Sequence, residues 1–273
     1  MLQQPLPSLS AWTAHFVQAE IPVLEETAVM VEALRPNEDE VDANLLGETL
    51  AGDPLMCLKV LAYVSQNRSQ RAVTDAETVT SALVLLGIGP FFRAFGPQPT
   101  VEAHLAALPE ALAGLQRVLT RANRAANFAL SFAAHRTDPD AAVIHQAALL
   151  HDFAELLLWV HAPTLALEIA RRQTENPALR SAAAQRDVLN IELADLQQAL
   201  MRAWRLPELL VRITDDKHAH TPQVRNVLLA IRLARHSALG WDNAALPDDY
   251  TEIAQLLNLG LEHTIKLVRQ IDD

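Results

Sequence analysis

The chain has 273 residues, half of them hydrophobic but only 5% aromatic, and a formal charge of −11. Ala and Leu supply most of the apolar content and there are only eight glycines, which favours helices packed on helices over an all-β fold built on tight turns. The acidic balance disfavours broad binding to nucleic acid or to an anionic membrane, both of which need a positive surface. The single cysteine, Cys57, excludes an internal disulfide and reads as a small buried hydrophobe.

Residues 1–20 read as an N-terminal extension. Pro5 and Pro7 discourage an early helix, and one over 10–20 follows with Ser10 as its cap. The opening MLQQPLPSLS lacks the basic start and apolar core of a secretory signal. No uninterrupted apolar run reaches the roughly 18 residues of a membrane span, so a soluble, cytoplasmic protein is expected. The segment 22–34 places Pro22 in a first helical turn and Val23, Leu24, Thr27, Val31 and Leu34 at helical spacing. A polar linker from Asn37 to Glu40 leads to a helix over 41–53 that ends near Gly52. Asp53-Pro54 opens the next helix, because Asp is a good N-cap and Pro fits a first turn. Thr74 or Asp75 caps another, which ends at Gly87.

Residues 88–99, with Gly89, Pro90, Gly96, Pro97 and Pro99, form a break that could divide the chain. Helices are predicted over 101–134, 140–161, 163–174, 178–189, 192–204 and 207–214, with Asp138-Pro139-Asp140 as turn and cap before the second of these. Two more, over 222–239 and 250–270, are separated by turn-forming clusters at 240–243 and 247–249.

The candidate chemistry centres on His151-Asp152 in AALLHDFAELLLW (147–159), a metal-ligand dipeptide in a stretch fit for a core. A buried charge is expensive unless paired, hydrogen-bonded or coordinated. The pair therefore holds a metal, is what remains of a metal site, or makes a structural bond. A metal site needs further His or Asp groups from other helices. Of the ten histidines, His145 lies nearly two turns upstream and His161 nearly three turns downstream, too far along a helix axis to join the same ion, and His135 sits at a helix end. The run 215–220, DDKHAH, has metal-like residue types but reads as a solvated helix end and loop. Arg117, Arg121 and Arg124 share one helical face, and Arg225, Arg232 and Arg235 another. Such stripes hold a phosphate-rich ligand or an acidic partner, or pair internally. No nucleophile elbow or phosphate-binding loop is present, and Gly87-Ile88-Gly89 is too short for a dinucleotide fingerprint. Trp159 and Trp204 read as core or interface anchors.

Three stretches together resemble the HDOD family, the HD-related output domain of bacterial signalling proteins. They are GDPLMCLKVLAYVSQN (52–67) followed by VTDAETVTSALVLLGIGPFFRAF (73–95), then ALLHDFAELLLW, then RDVLNIELADLQQALMRAWRLPELLVRI (186–213) with its W-x-L-P-x-x-L ending. The resemblance implies an all-α, HD-related multi-helix bundle. The chain is then expected to divide into an HDOD-like domain over 21–215, with a sub-boundary at the break near 88–100, and C-terminal helices of 216–273 packed on it. The resemblance also implies kinship with metal-dependent HD phosphohydrolases, from which the chain departs. Where those relatives have an earlier His, LTRANRAANFA (119–129) offers neither His nor Asp. Glu192-Leu193 stands for their Asp-His, Arg235 for their closing Asp, and Ala154-Glu155 for their Gly-Lys. Arg stays protonated and Leu has no lone pair, so neither binds a cation.

The expectation is a degenerate site. His151 and Asp152 are vestigial, with no metal, no cofactor and no catalytic residue, and the HD helix is kept for packing. Asp152 would accept hydrogen bonds from an Arg or from helix-end amides. The chain would then be a regulatory module acting on a protein partner in a signalling pathway, and exposed Leu and Trp on its C-terminal helices could support a homodimer. Two alternatives stay open. One is a metal-dependent phosphohydrolase of a nucleotide or cyclic dinucleotide. The other is a module that holds a phosphate without hydrolysis, with Arg121, Arg124 and Arg235 as the candidate ligand residues.

Overall fold

A computed structural model describes residues 1–67 and 75–272. Its helices in chain order are α1 (Leu9–Gln18), α2 (Glu25–Leu34), α3 (Ala43–Leu50), α4 (Pro54–Gln66), α5 (Val79–Leu86), α6 (Ile88–Ala94), α7 (Val101–His104), α8 (Pro109–His135) and α9 (Ala141–Leu150). They continue as α10 (Phe153–His161), α11 (Pro163–Glu175), α12 (Ser181–Leu189), α13 (Leu193–Ala203), α14 (Glu208–Ile213), α15 (Pro222–His236), α16 (Leu246–Leu257) and α17 (Leu261–Asp272). Short 3-10 turns occupy Arg35–Glu40 and Asp216–His218. The described residues contain no strand, only one isolated parallel bridge between Val23 and Thr100. The fold is all-α, as the Ala- and Leu-rich composition predicts.

Side-chain caps set several of the boundaries. Asp53 caps α4 as expected, its Oδ1 accepting from the amides of Leu55 at 2.9 Å and Met56 at 3.0 Å. Its Oδ2 also accepts from the amide of Leu24 at 2.8 Å, which ties the start of α2 to the start of α4. Burial pushes the Asp53 carboxyl up, and the amides of Leu24, Met56 and Leu55 and the Thr27 hydroxyl oppose that shift. Lys59 runs beside this junction, its Nζ donating to the Ile21 carbonyl at 2.8 Å.

Other boundaries depart from the expected ones. The cap of α1 is Ser8, whose hydroxyl accepts from the Ala11 amide, and not Ser10. The second helix starts at Glu25 because Val23 is extended, donating to Pro99 and accepting from Val101. The cap of α5 is Thr78, which forms a capping box with Ser81. Of the two caps expected there, Thr74 lies outside the described residues and Asp75 precedes the helix. The Pro- and Gly-rich run 88–99 accommodates α6, and Pro109 restarts the helix of 101–134 as α8. Asn258, in the left-handed conformation at φ 53°, divides the helix expected over 250–270. The helix expected over 140–161 stops at Leu150 and restarts at Phe153, so the dipeptide of interest is a turn. The segment Ala141–His161 has the length and hydropathy of a membrane span, but most of it is buried inside the protein.

The chain divides into two compact units. One comprises Met1–Leu119 and Asp152–Pro207, the other Thr120–His151 and Glu208–Asp273. In the first, α1 packs on α13. Trp12 and Phe16 of α1 are buried, and the Trp12 indole donates to the Leu189 carbonyl at 3.0 Å. The helix α10 buries Phe153, Leu156, Leu157 and Trp159, and it packs on α4, α11 and α13. In the second unit α15 is central, packing on α9, α14 and α16. Its buried Asn226 donates to the Ala129 carbonyl of α8 at 3.2 Å.

Within the first unit the beginning of α8 lies against the Trp159 ring. A Cβ on Gly114 would stand 2.4 Å from it. Gly is a poor helix residue, costing about 1 kcal/mol relative to Ala, so its presence mid-helix reflects this packing. Replacing it, Gly114→Ala, is expected to lower stability by about 1–2 kcal/mol despite the helix-propensity gain, since overpacking costs roughly 1–3 kcal/mol or more. Chemical denaturation monitored by circular dichroism checks this, and an unchanged or raised midpoint would contradict the packing.

Candidate functional site

His151 closes α9, its N–H donating to the Ala148 carbonyl at 3.3 Å. Its ring belongs to the second unit and is mostly enclosed there. Nε2 lies 2.9 Å from Oδ1 of Asp216. Asp216 opens the 3-10 turn that follows α14, and Asp215 caps that turn by accepting from the Lys217 amide at 3.1 Å. The other carboxylate oxygen of Asp215 lies 3.4 Å from His218 Nδ1, and the His218 and His220 rings stand 6.1 Å apart. His151 and the DDKHAH stretch, both with metal-like residue types, therefore meet within the second unit. Sequence reading treated the second as a solvated loop. Sixty-five residues separate His151 from Asp216, and nothing local in either stretch signals the other.

Asp152 begins the first unit's second segment. It occupies the N-cap position of α10 with φ −108° and ψ 21°, and its carboxylate makes no bond to the first-turn amides. Of the partners expected for it, an Arg or helix-end amides, the first-turn amides of α10 are therefore not used. The reason is conformational: a capping side chain works from an extended backbone, which Asp152 lacks. Its carbonyl instead accepts from Glu155 and Leu156.

A catalytic metal centre needs about three protein ligands and an open position. Among the described residues no three His, Cys, Asp or Glu side chains gather where an ion could be held. The described residues do not fit the metal that the HD fold implies.

The candidate phosphate-binding arginines have different fates. Arg124 is a structural anchor of the second unit. Its Nε and NH2 donate to the Asp272 carboxylate at 2.6 and 2.7 Å, NH2 also to Ser237 Oγ at 2.9 Å, and NH1 to the Ala234 carbonyl at 3.2 Å. The guanidinium fork lies on the Phe128 ring, 5.8 Å from its centroid. Arg121 is half-buried and has partners of its own. Arg235, in the last turn of α15, is exposed. Arg232 and Arg225 on the same helix are engaged by α16, Arg232 with Asp249 at 2.8 Å and Glu252 at 2.9 Å, Arg225 with Gln255 at 3.3 Å. A cleft of about 550 Å³ in the second unit is lined by Thr251, Ala254, Gln255, Asn258, Leu259, Gly260 and Leu261, none of them ionisable.

The HDOD domain matches residues 21–220, and the chain belongs to that family. No curated protein matches the chain. Among solved structures, the MmoQ response regulator of Methylococcus capsulatus superposes with a TM-score of 0.71 at 20% identity, covering 92% of this chain and 99% of that one. A virulence factor of Campylobacter jejuni gives 0.62 at 17% identity, covering 97% and 98%. An HDOD domain protein of unknown function from Geobacter sulfurreducens gives 0.50 at 14% identity, covering 96% and 93%. At these identities the likeness is one of fold.

Truncating the anchor, Arg124→Ala, should cost about 1–3 kcal/mol, the range for a multiply satisfied charge-assisted site. Amides of α17 should lose exchange protection first. Arg124→Lys should recover only part, because an ammonium cannot reproduce the two-pronged contact. By contrast Asp216→Ala should cost under about 1 kcal/mol, since that side chain is 52% exposed. Hydrogen exchange and thermal denaturation of the three variants decide the ranking.

Proposed function

We propose that this HDOD protein is a non-catalytic regulatory module that acts in signal transduction by binding a protein partner, with His151-Asp152 kept for structure. One observation carries the reading: Nε2 of His151 is taken up by Asp216, and among the described residues no group of three His, Cys, Asp or Glu side chains gathers that could hold an ion. A histidine so engaged is fixed as a packing element, and an HD pair without further donors cannot assemble a Lewis acid. Family membership and a fold shared with a protein described as a response regulator support the signalling role.

Charge and exposure favour a partner with a basic surface. Between residues 20 and 48 stand nine acidic side chains and one basic, Arg35. The helices of that stretch and of α5 also carry exposed Val29, Leu45, Val84 and Leu85. Exposed apolar side chains bordered by one sign of charge suit recognition by complementary charge with apolar contact.

Elemental analysis of the purified full chain is expected to find iron, manganese and zinc far below one per protein, with no hydrolysis of nucleotides or cyclic dinucleotides on adding Mn²⁺. Nucleotides should leave the melting temperature unchanged. Asp152→Ala should lower stability without removing an activity. Stoichiometric metal, together with a phosphohydrolase activity abolished by Asp152→Ala, would overturn the reading in favour of an enzyme. A nucleotide-dependent thermal shift abolished by Arg121→Ala or Arg235→Ala would favour a phosphate-binding module.

A further inference from the structure

Three histidines far apart in sequence meet in the first unit, away from the HD pair. His161 ends α10, His15 lies in the last turn of α1, and His104 ends α7. The His161 ring centroid stands 6.2 Å from that of His15, 6.0 Å from that of His104 and 5.7 Å from that of Phe16, in each case edge to face. His161 Nε2 is buried and has no hydrogen-bond partner. Around the same point the N-terminal strap is fastened: Leu2 donates its amide to the His161 carbonyl at 2.7 Å, and Thr164 donates to the Gln3 side chain at 3.0 Å.

This arrangement suits a neutral His161 ring and penalises a proton on it. Among the described residues no carboxylate forms an ion pair with any of the three. The charges that bear on His161 are His104, His15 and the amino group at Met1, all cationic when protonated, and a hydrogen bond to the Glu20 backbone acts weakly the other way. The charged groups of the packed helices are committed elsewhere or are of mixed sign. Lys59 of α4 donates to Ile21 and Gln98. Glu168, Arg171 and Arg172 of α11 bond one another. Glu102 of α7 accepts from the Glu25 amide, and α13 carries both Asp195 and Arg202. Burial, His104 and His15 together push the His161 imidazole down from 6.5 to about 4.

We propose that His15, His104 and His161 form an acid-sensitive latch that holds α1 and the N-terminal strap on the α7–α10 corner and releases them when the buried His161 ring gains a proton. The sign follows from linkage. A histidine whose folded value is depressed contributes its stability fully above the unfolded value of 6.5 and loses it as pH falls towards about 4. When α1 lifts away, His161 reverts to an ordinary imidazole and takes up a proton. Release therefore uncovers the faces that Trp12 and Phe16 now cover.

Hydrogen exchange on the full chain, corrected for intrinsic rates, tests the latch. Between pH 8 and pH 5 the opening constant of α1 should rise about 30-fold from His161 alone, the ratio given by values of 6.5 and about 4. Amides of α15, in the other unit, should show no such rise. His161→Phe should abolish most of the pH response by replacing the ring with one that cannot protonate. If that variant fails to fold, the more accessible His15→Gln and His104→Gln should each shift the His161 titration upward and flatten the response. Nuclear magnetic resonance titration of the histidines supplies the independent readout. A His161 that titrates at or above 6, or α1 protection that does not change with pH, overturns the proposal.

Discussion

A charged dipeptide sits in the middle of the most apolar segment of the chain, and the backbone yields to it. A continuous helix over 141–161 would have to bury both the imidazole and the carboxylate along its length. The helix stops at Leu150 and restarts at Phe153, and each residue of the pair is left partly accessible. The break is also where the chain passes from one compact unit to the other. The tight packing of α10 through Phe153, Leu156, Leu157 and Trp159 is possible because the polar pair is kept at its end. The dipeptide marks one of the points where the chain passes from one compact unit to the other.

Much of the architecture was legible because its causes are local. Asp53-Pro54 announces a helix through a side chain that caps and a ring that fits the first turn, and α4 begins there. Ends were missed where two local signals competed. Ser8 and Ser10 are both plausible caps for α1; the extended Ser8 takes the role, and Ser10 lies inside the helix. Asn258 looked like any polar helix residue, yet it takes the left-handed conformation and splits two helices, a choice its sequence neighbours do not encode. Val23 fits a helical pattern but is held extended by Pro99 and Val101, partners some seventy-five residues away.

The sequence offered candidate positions at the site and not their partners. Arg235, Leu193 and the stretch 119–129 stand where the resemblance to metal-dependent relatives would place ligands. That Asp216 closes on His151, or that Arg124 is consumed by Asp272, Ser237 and Ala234, depends on which helix ends meet in space. The stripe of arginines offered two readings, ligand binding and internal pairing. For Arg124 and Arg232 internal pairing prevails, because each guanidinium is engaged by carboxylates of neighbouring helices, and Arg124 by a carbonyl and a hydroxyl as well, without a ligand.

The close approach of Gly114 to the Trp159 ring has a consequence for how such a chain can change. The two positions are locked together: a larger residue at 114 is admissible only after the ring shrinks, and shrinking the ring first leaves a void. Either order passes through a less stable intermediate. Across relatives the pair should therefore vary in concert, glycine opposite a broad aromatic or a bulkier residue opposite a small one, so that the partner of one residue can be read from the identity of the other.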